Sequence, residues 1–212
     1  MLKIYLAETE SMPSWDALMK QIHLDVGEKR QSWIRMPKEK AMESMAGILL
    51  LQRALTEIGM DSADVSLGRE GSGRPFLKNV NLDFNISHAD GLAVCAVELG
   101  EGDVPPRLGI DVERIVGRTT ERLTRDAARW FTEEERAIFS DAPTEETFLK
   151  IWTGKEAMVK HTGAGLSEVR RCNTLQLPSE LCLMGYAYEN AVITLCHRRE
   201  SQPPKTIAVV TI

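Results

Sequence analysis

The spacing of apolar residues changes several times along this chain, and each change marks an element. Residues 2–7, "LKIYLA", form a short, mostly apolar run that predicts a buried opening strand. A short helix is predicted near 14–24. Beyond the polar, basic stretch "GEKRQSWIRMPKEK", Met45, Ile48, Leu49, Leu51 and Leu55 recur at helical spacing. Pro37 suits the first turn of that long helix and Gly59 its C-terminal end. Strands follow at about 64–67, 82–87 and 91–98, with the turn-rich loop "GREGSGRP" (68–75) before the second. Asp90-Gly91, between the last two, is a tight-hairpin dipeptide.

The segment "LGEGDVPPR" (99–107) reads as a connector, and the pattern then starts again. A strand is predicted at 108–113, helices near 119–129 and 132–140, and a longer helix at 144–161 ending in "TGAG". Strands near 174–177, 182–189, 191–197 and 206–212 complete the chain. Each half thus reads as strand, helices, strands, although no sequence repeat joins them. The expected fold is α+β, built from two similar halves at 1–103 and 104–212.

Composition narrows the function classes. The 212 residues are 43% hydrophobic and 27% charged, an ordinary globular balance. No run approaches the roughly 20 apolar residues that cross a bilayer. The N-terminus turns acidic before a signal-peptide core could form. The four cysteines show no CxxC or metal-ligand spacing, which fits free thiols in a reducing cytoplasm. The net charge of −5 does not suit a general nucleic-acid binder. An acidic protein partner would need a local basic patch.

Four segments carry candidate chemistry. In "LGIDVERI" (108–115), Asp111 and Glu113 share one face of a strand. Two like charges so close call for a cation between them. A hard ion such as Mg2+ would fit; so would pairing with Arg107 or Arg114, or a solvated edge. In "WTGKEAMVK" (152–160), Glu156 and Lys160 lie four apart on one helix face with Lys155 a step round, the pattern of a surface ion pair or of a site. In "FNISHADGLAVCAV" (84–97), strand alternation turns Asn85 and Ser87 to one face and Ile86 and His88 to the other. "GSGRP" (71–75) is a glycine-rich turn whose Arg74 could meet a phosphate.

Taken in order, GRP, FNISH, GIDVE, FTEEE and WTGKEAMVK resemble the 4′-phosphopantetheinyl transferases of the Sfp type. The matching blocks run from about 71 to 166, and the basic stretch and long helix near 29–51 fit more loosely. The resemblance implies a pseudo-twofold pair of α+β halves in one monomeric chain, with coenzyme A in the cleft between them. It implies transfer of phosphopantetheine to a serine of an apo acyl or peptidyl carrier protein, with release of adenosine 3′,5′-bisphosphate. Asp111, Glu113 and Glu156 would hold Mg2+ (or Mn2+), while Glu156, Lys160 and Asp111 would carry the catalysis. Lys29, Arg35, Ser44, Arg74, Pro75, Ser87, His88, Lys155 and Lys160 would contact coenzyme A, with Arg30 a further candidate. His88 matches a position that meets the 3′-phosphate, and Arg74 stands where relatives commonly carry lysine.

Glu135 ends the FTEEE block and has two readings, an active-site role or a capping box with Thr132. Arg118, Arg122, Arg125 and Arg129, at helical spacing, form a basic stripe on which an acidic carrier protein could dock, or a solvated face salted by Glu121 and Asp126. Competing functions are a Mg2+-dependent coenzyme A phosphohydrolase and a non-catalytic coenzyme A or carrier-protein binding module.

Overall fold

The computed structural model describes residues 1–100 and 106–212. Its elements are β1 (Leu2–Glu8), α1 (Trp15–Gln21), α2 (Lys29–Arg35), α3 (Lys38–Glu57), β2 (Leu67–Arg69), β3 (Pro75–Leu77), β4 (Leu82–Ala89) and β5 (Leu92–Leu99), followed by β6 (Leu108–Arg114), α4 (Thr120–Trp130), α5 (Glu133–Asp141), α6 (Glu145–Thr162), β7 (Leu181–Tyr188), β8 (Ala191–Arg198) and β9 (Ala208–Val209). The boundary expected at 103/104 lies outside the described residues.

Each half lays one long helix against a largely antiparallel sheet. The first sheet has the order β4-β5-β1-β9, and α3 packs across it. The second has the order β6-β8-β7, covered by α6. This is the expected α+β pair of similar halves. The helices are anchored by chemistry visible in the sequence: Pro37 is the N-cap of α3, and Gly163 closes α6 in the left-handed conformation. Asp90 and Gly91, both at positive φ (45° and 82°), make the two-residue turn that pairs Ala89 with Leu92.

The halves meet through side chains rather than a continuous ladder. On β4, alternate residues Asp83, Asn85 and Ser87 all face β6. Asp83 Oδ2 accepts the Leu108 N–H at 2.8 Å and Asn85 Oδ1 accepts the Ile110 N–H at 2.9 Å. The Ser87 hydroxyl donates to Asp111 Oδ1 at 2.7 Å. A core of Leu2, Ile4, Leu6, Val94, Leu108, Ile110, Ile193 and Leu195 fills the space between the two sheets.

Three differences from the expected pattern have clear causes. The basic stretch before α3 is not all loop: it contains α2, held by the fully buried Trp33, whose Nε1–H donates to Ser44 Oγ at 2.9 Å. No strand forms at 174–177, because Thr174 N–H and Oγ1–H bond the Glu135 carboxylate and Leu175 N–H bonds the Asn173 side chain. The last strand shrinks to β9 and pairs in parallel with β1, so the C-terminus returns to the first half's sheet. No helix among the described residues is long and apolar enough to cross a membrane.

Candidate active site

The site is assembled where α6 crosses β6. Gly109 makes this crossing close: a Cβ there would stand 2.1 Å from Ala157 O and 2.5 Å from His161 N. Asp111, two residues along the same strand face, is thereby brought under α6. Its Oδ1 receives Lys160 Nζ at 2.6 Å and the Ser87 hydroxyl at 2.7 Å. Lys160 also donates to Ser87 Oγ (2.8 Å) and Ile110 O (3.2 Å). The two carboxylates of the strand therefore meet separate cations, Lys160 on Asp111 and Arg118 on Glu113 at 3.0 Å.

These cations do not neutralise the cluster. Asp111 Oδ2 is buried without a hydrogen-bond partner among the described residues. Burial pushes the Glu156 carboxyl up to about 7, aided by the charges of Asp111 and Glu113 and opposed by Lys160. Burial and Asp111 likewise raise Glu113, against the pull of Arg118. Three oxygen donors that repel each other, one with an orphaned lone pair, match the donor set of a hard divalent cation. Among the described residues these side chains do not converge into a pre-formed cage. Mg2+ normally binds through one or two carboxylates with phosphate and water oxygens, so such a cage is not required.

A cleft of about 720 Å³ reaches Glu156 of this cluster and is walled by both halves, from Lys29 and Ser44 on one side to Glu156 and Lys160 on the other. Its polar lining is mainly cationic: Lys29, Arg69, Lys78, His88 and Lys160 all contribute. Val26, Ile48, Leu67, Pro75 and Phe84 supply an apolar wall wide enough for a flat ring. Burial pulls the Lys29 amine down, and the neighbouring Arg69 adds to this. A cationic, partly apolar cleft ending at a carboxylate cluster suits a nucleotide with several phosphates.

Several expected contacts lie elsewhere. Lys155 is wholly buried on the far side of α6, where its Nζ donates to Glu135 Oε2 at 2.7 Å and to Cys172 O. It cannot reach a ligand in the cleft. Glu135, also fully buried, forms the capping box with Thr132 and pairs with Lys155, which selects the capping reading. Arg74 borders the cleft, but its guanidinium is committed: it forks onto Asp83 (2.8 and 2.7 Å) and bonds the carbonyls of Leu108 and Lys160. It fastens the halves together instead of presenting a free fork to phosphate. Arg35 is exposed and outside the cleft lining. Arg30 bonds the Ile22 and Met19 carbonyls. Arg118 lies before α4, whose N-cap is Thr119, and is held by Glu113 and Glu145. The stripe thus reduces to Arg122, Arg125 and Arg129, all exposed.

One residue near the cleft carries no signal in the sequence. Glu43, on α3, is buried and touches His88 Nδ1 at 3.1 Å. Its place beside Ser44, at a spacing that faces the β4–β5 turn, is legible only once the helix and hairpin are docked.

Comparison with known proteins agrees with this architecture half by half. Residues 9–100 match the N-terminal domain of 4′-phosphopantetheinyl transferase, and residues 107–203 match the 4′-phosphopantetheinyl transferase superfamily. A 4′-phosphopantetheinyl transferase of Bacillus subtilis is 30% identical over 169 residues, 77% of this chain and 70% of the relative. The transferase HetI of a Nostoc strain is 32% identical over 58% of this chain and 52% of its own length. The transferase AcpT of Salmonella typhimurium is 28% identical over 85% of this chain and 82% of its own. With both halves matched and the carboxylate cluster inside the second matched segment, the chain belongs to the 4′-phosphopantetheinyl transferase family.

Proposed function

We propose that this protein transfers the 4′-phosphopantetheine group of coenzyme A to a serine hydroxyl of an apo acyl or peptidyl carrier protein, releasing adenosine 3′,5′-bisphosphate. The observation that carries this reading is the orphaned Asp111 Oδ2 within an under-neutralised carboxylate cluster, at the end of a cationic cleft. Asp111, Glu113 and Glu156 would hold Mg2+ or Mn2+. The bound ion supplies charge neutralisation at the pyrophosphate.

The residues of the chain do the remainder. Pro75, Ile48 and Phe84 pack the adenine, while Lys29 and His88 receive its ribose phosphate. Ser87 and Lys160 orient Asp111, and Lys160 adds a positive charge beside the diphosphate. The serine oxygen forms a bond to the β-phosphorus as the bond from that phosphorus to the bridging oxygen breaks. The bridging oxygen and its electron pair leave with adenosine 3′,5′-bisphosphate. Glu156 accepts the serine proton. Since one chain supplies both walls of the cleft, the active species is a monomer. The four free thiols suit a reducing cytoplasm.

The carrier protein approaches over α4. Arg122, Arg125 and Arg129 are exposed on it, and a groove of about 170 Å³ is lined by Asp126, Trp130 and Trp152 together with Glu113. An acidic carrier surface complements that face.

The test is the intact mass of an apo carrier protein after incubation with enzyme, coenzyme A and Mg2+. Gain of one phosphopantetheine, lost with a chelator and reduced about 10²–10⁴-fold in initial rate by Glu156→Gln, is expected. Consumption of coenzyme A without carrier modification would replace the reading with hydrolysis. Binding of coenzyme A with neither outcome would leave a binding module.

A further inference from the structure

Glu43 has no part in the chemistry above, yet its surroundings are unusual. It lies on α3 with its side chain 4% exposed, and its polar contacts centre on the strand and turn that carry His88. Oε1 accepts the Gly91 N–H at 2.9 Å. Oε2 accepts Lys40 Nζ at 3.0 Å and faces His88 Nδ1 at 3.1 Å. Burial would raise this carboxyl, but the bonds from His88, Gly91 and Lys40 win and hold it at about 2. Glu43 is therefore an ionised acceptor fixed at both oxygens.

A carboxylate acceptor forces the proton onto Nδ1 of the imidazole. The remaining nitrogen, Nε2, is left for the cleft that His88 lines, where the side chain is 33% exposed. A neutral ring in this tautomer would offer a bare lone pair there, which repels phosphate. The doubly protonated ring offers an N–H and a positive charge, and the Glu43 carboxylate compensates that charge from behind. The arrangement selects a ligand with a phosphomonoester at this end of the cleft.

Building on the function proposed above, we propose that Glu43 is a positioning residue for substrate selection. It holds His88 with Nε2–H toward the 3′-phosphate of coenzyme A, so that the site prefers 3′-phosphorylated nucleotides. The effect belongs to α3 and the β4–β5 turn, through His88. A purely structural Glu43 would brace that turn without altering which nucleotide binds.

The experiment measures binding of adenosine 3′,5′-bisphosphate and adenosine 5′-monophosphate by calorimetry, in the wild-type protein, Glu43→Gln, His88→Ala and the double variant. The wild type should prefer the bisphosphate. Glu43→Gln should lower the preference about fivefold to tenfold, the scale of one ordinary hydrogen bond. Adding it to His88→Ala should change the preference less than twofold. Equal weakening of both nucleotides by Glu43→Gln, no preference in the wild type, or full additivity in the double variant would each overturn the proposal. If Glu43→Gln does not fold, 15N resonances of His88 in the unaltered protein decide instead: a proton on Nδ1 and a bisphosphate-dependent shift at Nε2 support it, and an unprotonated Nδ1 refutes it. These readouts need no turnover. A loss of preference in a protein that modifies no carrier would therefore retain the Glu43 role and discard the transfer reading, and the reverse result would do the opposite.

Discussion

Lys155 and Lys160 of helix α6 occupy opposite kinds of surroundings only five residues apart. Lys155 and Glu135 are fully buried and mutually satisfied, with the Thr132 N–H and both Thr174 donors completing the glutamate's bonds. Lys160 and Asp111 are the other pair, and there the bonding is incomplete: Oδ2 has no partner, and Glu156 and Glu113 are both pushed up. Burying an ion pair is tolerable when every lone pair is used, so the first face is architecture. The second face keeps repelling carboxylates with one oxygen unused among the described residues, which marks it as a candidate site. The same helix thus carries a closed polar network and an open one, and completeness of bonding separates Lys155 from Lys160.

Substitutions on the two faces should part company, and the largest effect belongs to the open one. Glu156→Gln, already expected to slow transfer by about 10²–10⁴-fold, should cost no more than about 1 kcal/mol of stability, since it removes one of three repelling charges. Lys155→Met should do the reverse. Leaving Glu135 buried and unpaired is expected to cost about 3–5 kcal/mol in denaturant unfolding, while the affinity of the folded protein for coenzyme A stays within a few fold. A Lys155→Met protein of normal stability would show that bond completeness is not what distinguishes the faces.

His161 sharpens the comparison, because it is unsatisfied without adjoining the carboxylates. Both ring nitrogens are buried without partners among the described residues. Burial pulls its pKa down to about 4, helped by the charges of Arg107, Arg74 and Arg198. The folded state thus disfavours the proton that the unfolded chain takes up near 6.5. Stability is intact above 6.5 and is lost as pH falls from there toward 4. His161→Leu should remove that loss, gaining on the wild type by about 2–3 kcal/mol between about pH 7.5 and pH 4. A difference independent of pH would mean that the ring finds a partner in solution.

The smallest effect is expected on α4. Reversing Arg122 and Arg125 to glutamate should raise KM for the carrier protein about tenfold at low salt, less at high salt, while the KM for coenzyme A changes less than twofold. Equal shifts for both substrates would place the damage in the fold and not in docking.

The parts of the molecule legible in the sequence follow from short-range rules. Alternation places Asp83, Asn85 and Ser87 on one face of β4, and Asp111 with Glu113 on one face of β6; Asp90-Gly91 and Thr132 with Glu135 name their turn and cap. The parts that are not legible depend on partners chosen by tertiary packing. Arg74 resembles a phosphate ligand by its charge and its neighbour Pro75, but Asp83 and two carbonyls from the other half hold it. Lys155 and Lys160 look alike in sequence, and only Glu135, brought in by α5, tells them apart. Arg118 has the right spacing for the stripe, but Thr119 begins the helix one residue too late to include it. The short α2 gives little apolar pattern because six of its seven residues are not core, and a single tryptophan anchors it.

β6 is the edge of its sheet, and the outward amides of Leu108 and Ile110 would invite any extended segment to add a strand. Asp83 and Asn85 fill those amides with a carboxylate and an amide oxygen, so the edge is saturated without a neighbouring backbone. A foreign strand would have to displace a charged acceptor that is itself clamped by Arg74. The contact that joins the two halves therefore also guards the chain against edge-to-edge aggregation, and neutralising Asp83 would uncover an adhesive seam as well as loosen a joint.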